Sequence, residues 1–386
     1  MQKDFHYYAT YCAAVLAGYS HEESMRLCTS AQFVDLCSRN LLVKLKAPRS
    51  AATTQLTMEM ANARTDLLGL QDITRIWASF HFLPYDLQAE KSGCTRLYRN
   101  KYRLICRPNG DLVESTVELA KGNGPEAAGI AMHVLADTWA HSWFAGTPSL
   151  VINNTDDYFF ELLPDGSKRK IRFRHSTSKP DEPEAGIYTN SLFQPEESAI
   201  MNLGHGRAGH LPDYSFMKYE YLPAWAEYRV IVKDNPEDYL HAFAQMIEAM
   251  KYLRGTRETF QKNRYDWEAV EPWREEIEAI LRKRQPDACA DWKALGEKLS
   301  GCEMEEFEIE SREAEYLAAE GIEKDETFLG QFILAALRQK SMVTASIYRS
   351  GSRLAGISVD FTEKGFRGIR DFRILTERRR GAGKHD

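Results

Sequence analysis

The sequence predicts a mainly α protein carrying one or two small β-hairpins, and three observations predict it. Apolar residues recur at helical spacing over most of the 386 residues. Helix starts are written into the chain, from a Ser20-His-Glu-Glu23 capping box to Gly124-Pro125 at the head of a long apolar segment. Runs of β-favouring residues are confined to two places, each interrupted by a turn dipeptide, Asn109-Gly110 and Asp165-Gly166.

In chain order, helical spacing over 7–17 stops at Gly18, and the capping box opens a helix through about residue 40. Residues 53–68 and 71–80 follow as helices, then 101–117 reads as a hairpin around Pro108-Asn-Gly110. A long helix is expected over 124–144, a second hairpin over 158–175, and a Pro- and Ser-rich loop over 176–195. Helices return at 195–203, 236–253, 265–283, 311–320 and 326–340, before a basic, Gly-rich tail from about residue 377. Residues 1–260 read as one helical unit with hairpin insertions, and 261–386 as a helical extension packed on it.

With 43% hydrophobic and 27% charged residues, the chain can bury a core and is not a disordered polymer. A net charge of -6 argues against a protein that coats nucleic acid, so no stable nucleic-acid complex is expected. No run reaches the roughly 20 apolar residues of a membrane-spanning helix. The first residues lack the charged lead and apolar stretch of a secretory signal. Seven scattered cysteines without a CxxC spacing fit reduced thiols and a cytoplasmic protein.

The chemistry concentrates in His133-Val-Leu-Ala-Asp137-Thr-Trp-Ala-His141. Residues four apart on a helix advance about 400°, so the three polar groups share one face at roughly 6 Å per step. Buried without partners they would each cost about 1–3 kcal/mol. Either they bond one another as a core network, or they hold a divalent ion of the zinc type, for which neutral imidazoles and a carboxylate are suited. Asp137, with two oxygens, is placed to bridge two ions. The remaining histidines favour metal. His81 lies in Phe80-His-Phe-Leu-Pro84, His205 and His210 in Gly204-His-Gly-Arg-Ala-Gly-His210-Leu-Pro-Asp213, and His6 in an apolar N-terminal stretch. Asp35 is a lone carboxylate in an apolar segment and Asp213 closes the Gly-rich loop. Arg207 in that loop is a candidate phosphate clamp, with a surface ion pair as its plainer alternative.

These segments resemble the all-α zinc-dependent phospholipase C and single-strand nuclease superfamily. Within it they are most similar to an uncharacterised bacterial family marked by Phe-His-Phe-Leu-Pro, His-Val-x-Ala-Asp-Thr-Trp-Ala-His and Gly-His-Gly. The resemblance spans about residues 4–225. It implies a multi-helix bundle of the phospholipase C type with up to three zinc ions. Asp35, His81, His133 and Asp137 would hold the first; His141, His205 or His210 and Asp213 the second; His6 and Asp137 the third. The enzymes complete their third site with a free amino end, and Asp4 is the candidate to take its part. The implied activity is hydrolysis of a small-molecule or lipid phosphoester, with Asp137 and Arg207 as catalytic residues. The competing expectation is a non-catalytic helical protein with a structural metal site, or an interaction scaffold.

Overall fold

A computed structural model of the chain describes residues 1–47, 52–55, 73–147, 149–174, 179–189 and 205–351. The chain enters through a π-helical segment, Asp4–Ala9, that runs directly into α1 (Thr10–Leu16). The predicted capping box forms: the Glu23 N–H donates to Ser20 Oγ and the Ser20 N–H donates to the Glu23 carboxylate. It opens α2 (His21–Phe33), which stops short of the predicted end near residue 40. Ser38 caps a separate short helix, α3 (Arg39–Lys44), by accepting from the Leu41 N–H. A serine at a helix start competes with continued helix by offering the backbone another partner. Asp35 therefore sits in a turn, not in the helix interior.

The predicted hairpin at 101–117 is not formed. Those residues belong to α4 (Arg96–Tyr102) and α5 (Asp111–Ala120), joined by a turn with Asn109 at a φ of 63°. Leu112, Val113, Thr116, Val117 and Ala120 make one buried helical face. Packing of that face overrides the β preference of its valines and threonine. Only isolated bridges survive between the helices, Pro84 with Cys106 and Ile105 with Ala145.

α6 (Gly124–Ala140) is the axis of the fold, with every residue from Glu126 to Ala140 buried. A helix that is apolar all round is an interior helix. It packs against α2, α5 and two later helices, Asn235–Arg254 and Phe328–Arg349. The expected end near residue 144 falls instead at Ala140. Cys106 and Phe144 draw the following turn out of the helix, through Cys106 N–H to Phe144 O at 2.7 Å and Trp143 N–H to Cys106 O at 2.8 Å. Lys233 closes the helix end, donating to Trp139 O at 2.7 Å and Ser142 Oγ at 2.6 Å and pairing with Asp238. A cation among terminal carbonyls complements the helix dipole.

After α7 (Leu150–Asn153), the second predicted hairpin is present: β1 (Thr155–Leu162) pairs antiparallel with β2 (Lys168–Lys170) about Gly166, at a φ of 82°. β3 (Arg172–Arg174) and β4 (Ile187–Thr189) form a separate parallel pair. After α8 (His205–Ala208), β5 (Lys218–Pro223) and β6 (Ile231–Asp234) extend the first sheet to the order β2-β1-β5-β6. Neither added strand is among the elements that the sequence predicts. An aromatic cluster under this sheet, including Phe82, Phe144, Phe159, Tyr219 and Tyr221, is distinct from the large helical core. His81 and His141 each precede a residue of this cluster, so the candidate site lies along the seam between the two.

α9 (Asn235–Arg254) follows as predicted and ends at Gly255, at a φ of 86°. α10 (Trp267–Val270), α11 (Arg274–Arg282), α12 (Cys289–Ser300), α13 (Glu310–Ala318), α14 (Glu323–Glu326) and α15 (Phe328–Arg349) complete the described chain. The residues beyond 260 share the helical core with the first half. α12 packs on the Asp4–Ala9 segment, and α15 packs on α6 and on a second π-helical segment, Trp77–His81. The predicted helix at 195–203, most of that at 53–68 and the tail from 377 lie outside the described residues. The fold is thus mainly helical with small strands, and no helix among the described residues is long and apolar enough to cross a membrane.

Gly129 sets how closely α2 approaches α6. A Cβ there would collide with the Leu27 carbonyl oxygen and lie 2.6 Å from Ser30 Cβ. Glycine to alanine inside a helix ordinarily stabilises by about 0.5–1 kcal/mol. Gly129→Ala is expected to reverse that sign and destabilise by about 1–3 kcal/mol, as overpacking does. Denaturant unfolding of the two proteins measures it; a stabilised variant would contradict the close approach.

Candidate metal centre

Asp137 lies on the inward face of α6 with His133 one turn before it and His141 one turn after, at the helix end. His81 arrives from the second π-helical segment, and His6 from the first. Such one-turn widenings are frequent at functional sites because they re-aim a side chain that an unbroken α-helix would point elsewhere. Gly146 lets its strand of chain lie against the second segment: a Cβ there would stand 2.8 Å from Ala78 N. Asp213 follows α8, in a turn held by Asn235, whose Nδ2 donates to Leu211 O and Tyr214 O, both at 2.8 Å.

The geometry gathers around the Asp137 carboxylate, which is 1% exposed. Its Oδ2 lies 3.2 Å from His81 Nδ1, 3.3 Å from His133 Nε2 and 3.5 Å from His141 Nδ1. Its Oδ1 lies 3.2 Å from His6 Nε2 and 2.7 Å from the Met1 amino nitrogen. Asp35 Oδ1 stands 3.9 Å from both His81 Nδ1 and His133 Nε2. Asp213 Oδ1 stands 3.1 Å from His141 Nε2, 3.4 Å from His205 Nε2 and 3.2 Å from the Met1 amino nitrogen.

Backbone carbonyls decide which ring nitrogens are protonated. His133 Nδ1 lies 2.8 Å from Ala31 O, His81 Nε2 3.0 Å from Thr54 O, and His141 Nδ1 2.7 Å from His81 O. A carbonyl only accepts, so each of these nitrogens carries the N–H. In the neutral rings the opposite nitrogens are bare lone pairs. Two of them, His81 Nδ1 and His133 Nε2, face each other at 3.4 Å while also facing carboxylates. Lone pairs and anions that converge this way repel unless a cation or a proton lies between them. His6 is stranded more plainly. It stacks on His133 with ring centres 3.8 Å apart, and neither of its buried nitrogens has a hydrogen bond of acceptable angle. His205 Nε2 is buried without one as well.

Titration behaviour follows the same logic. Burial pushes the His6 imidazole well below its ordinary value, with His133 alongside adding to the effect. Burial also lowers His141, to about 4. Both rings are therefore neutral at neutral pH, the form that binds metal. Burial opposes charge on Asp137 and Asp213 too. The His141 ring and the Met1 amino group outweigh it at Asp137, and the Met1 amino group with His205 does so at Asp213, so both stay well below the usual carboxylate range. Burial raises Asp35. His81 is raised because its bond to Asp137 and that carboxylate's charge overcome burial. The amino group itself rises to about 11, as Asp137, Asp213 and Asp35 overcome its burial.

Three groups of donors emerge, each with ligand atoms within 4.8 Å of one another: His6, His133 and Asp137; Asp35, His81 and His133; His141, His205 and Asp213. Asp137, Asp213, His81, His141 and His205 line a cavity of about 520 Å³ whose walls also include Trp77 and Phe82. His6 and His133 lie beneath it, fully buried. Imidazole lone pairs, buried carboxylates and orphaned ring nitrogens together make a donor set that could hold a metal ion.

Eight of the predicted ligand residues converge: His6, Asp35, His81, His133, Asp137, His141, His205 and Asp213. His210 does not join a group; it is half exposed, with Nδ1 3.3 Å from Asp213 Oδ2. Arg207 is not among the residues lining the cavity. Two residues along a helical turn point roughly 200° apart, so with His205 turned inward Arg207 faces away. Asp4 does not take the part expected of it. Its carboxylate accepts from the Phe5 N–H at 2.8 Å and from the Ala288 N–H at 3.4 Å, and the Met1 amino group occupies the cluster instead. The sequence analysis also missed the orienting carbonyls of Ala31, Thr54 and His81, for which no side-chain signal exists.

A mainly helical chain with a buried carboxylate–imidazole cluster able to hold metal, opening into a cavity, is the class that this fold and site define. The chain belongs to DUF6765, a family of unknown function whose model matches residues 1–347. No curated protein and no solved structure matches it.

The two loop histidines separate cleanly in a zinc titration. His205→Ala is expected to weaken zinc binding by at least about tenfold, the scale on which shells around a metal act. His210→Ala should stay within about fivefold of the parent, as loss of a half-exposed ion pair would. Competition against a chromophoric chelator measures both; equal losses would remove the distinction.

Proposed function

We propose that the chain is a metal-dependent phosphoester hydrolase with a zinc-type centre of two or three ions, distantly related to the zinc-dependent phospholipase C and single-strand nuclease enzymes. The observation that carries this reading is the set of imidazole nitrogens whose partners on the ring are committed to backbone carbonyls, leaving bare lone pairs aimed at Asp35 and Asp137. When bound, divalent ions supply Lewis-acid activation of water and neutralise charge on a phosphoryl group.

The residues of the chain divide the remaining work. Asp137 offers one oxygen toward His6 and the other toward His81 and His133, so it links adjacent groups. The carbonyls of Ala31, Thr54 and His81 hold the ring tautomers and orientations. His141, His205 and Asp213 form the outer group on the cavity wall, where substrate arrives. Lys3 also lines that cavity and supplies positive charge for a phosphate oxygen, the role expected of Arg207. Trp77 and Phe82, with ring centres 5.9 Å apart, wall the approach and favour a substrate with an apolar or planar part.

A structural role is favoured at one place only. His6 and His133 are sealed from the cavity, so an ion held there with Asp137 has no route to substrate and would serve the fold. The other two groups reach the cavity through Asp35, His81, His141, His205 and Asp213. We also propose a cytoplasmic location, because the seven cysteines stand as free thiols.

Turnover of the chromogenic diester bis(p-nitrophenyl) phosphate tests the hydrolase reading. A chelator is expected to abolish it while the far-ultraviolet dichroism of the helices persists, and added zinc to restore it. Asp137→Ala should lower kcat/KM by at least about a hundredfold and reduce bound metal, given the several kcal/mol that such ions contribute. A protein that binds two or three zinc ions yet cleaves no phosphoester leaves only the structural reading.

A further inference from the structure

On the far side of the turn that follows His141, Arg107 lies sandwiched between aromatic rings. Its guanidinium carbon stands 4.0 Å from the centre of Trp143 and 4.6 Å from that of Tyr85. Trp143 in turn stacks on Trp225, with centres 5.4 Å apart and planes 17° from parallel, and accepts at its carbonyl from Trp225 Nε1 at 2.9 Å. These side chains, with Tyr102, wall a cavity of about 250 Å³ that is separate from the metal cavity.

Stacking occupies the faces of the guanidinium and leaves its in-plane N–H fork as the only way to bond it. Among the described residues no hydrogen bond or ion pair takes up that fork. Glu90 lines the same cavity, yet its carboxylate is committed to Arg99 and Arg103. Asp86, the other acid there, accepts from the Gln88 N–H. Trp143 is also held at a φ of 77°, in the left-handed region that a bulky residue rarely adopts. The Trp225 contact and the backbone bonds to Cys106 keep it there.

We propose that this cavity is a second ligand site, for a small molecule with an oxyanion, carboxylate or phosphate, attached to a planar apolar part. The oxyanion meets the Arg107 fork in a two-point contact, and the planar part lies against Trp225 and Tyr102. The site stands independently of any metal in the main cavity.

Titration of the full-length protein with phenylphosphonate, benzoate and phenol, read by tryptophan fluorescence and calorimetry, tests it. Saturable binding at millimolar affinity or better is expected for one or both anions and not for neutral phenol; which anion binds more tightly names the group. Trp225→Phe should remove most of the fluorescence change. Arg107→Met should weaken binding at least about tenfold, and Arg107→Lys, which keeps charge without the fork, should fall between. Dichroism and thermal unfolding identify a variant that fails to fold, in which case the lysine variant carries the comparison. His205→Ala should leave this binding unchanged. Binding of phenol as strong as that of the anions, anion binding that survives Arg107→Met, loss in His205→Ala alone, or no saturation with either anion would each overturn the proposal.

Discussion

One buried carboxylate organises this molecule. Asp137 sits within 3.5 Å of nitrogens from four histidines and of the Met1 amino group, in a region almost closed to water. An isolated carboxylate at that depth would face a desolvation penalty of several kcal/mol. It persists only because positive or hydrogen-bonding groups surround it. In this structure the Met1 ammonium provides the counter-charge for both Asp137 and Asp213. A metal ion held by the same groups would meet the same electrostatic demand.

The surroundings of that cluster explain features that otherwise look unrelated. Two π-helical segments carry His6 and His81, and each is braced from the C-terminal half: α12 packs on the first and α15 on the second. Gln339 on α15 donates to Ser79 O at 3.1 Å, two residues from His81. Lys233 closes the end of α6, where His141 is set. The described residues beyond 260 therefore act as a buttress: they add no side chain to the histidine–aspartate cluster, but they pack against the irregular backbone that presents it. Irregular helix geometry persists only where the structure around it over-determines it.

Much of the site was legible in the chain. The i, i+4, i+8 spacing of His133, Asp137 and His141 needed only an α-helix to align them, and the helix is apolar enough on all sides to be certain. Asp35 and His81 were readable because an aspartate in an apolar stretch and a histidine in Phe-His-Phe-Leu-Pro are polar groups in burial contexts. The choice between His205 and His210 was not readable, since both flank the same glycines and line the same cavity, and only the placement of α8 brings His205 into a donor group with His141 and Asp213. Whether Arg207 would line the cavity was unreadable for the same reason, and it does not. Valine- and threonine-rich α5 was misread as strand, and the strands β5 and β6 were missed, because their identity depends on which neighbour covers each face.

What the sequence by itself determined is the inventory and its local order: a helical chain, one interior helix with its three-residue polar stripe, and further histidines and aspartates in apolar settings. Those properties follow from periodicity and transfer energetics, which act over one or two helical turns. Only the tertiary structure decided which nitrogens are bare, which oxygen each one faces, and which end of the cluster meets solvent. Those depend on backbone carbonyls and on crossings between segments as far apart as Met1 and Asp213, and no side-chain pattern encodes where a distant carbonyl will lie.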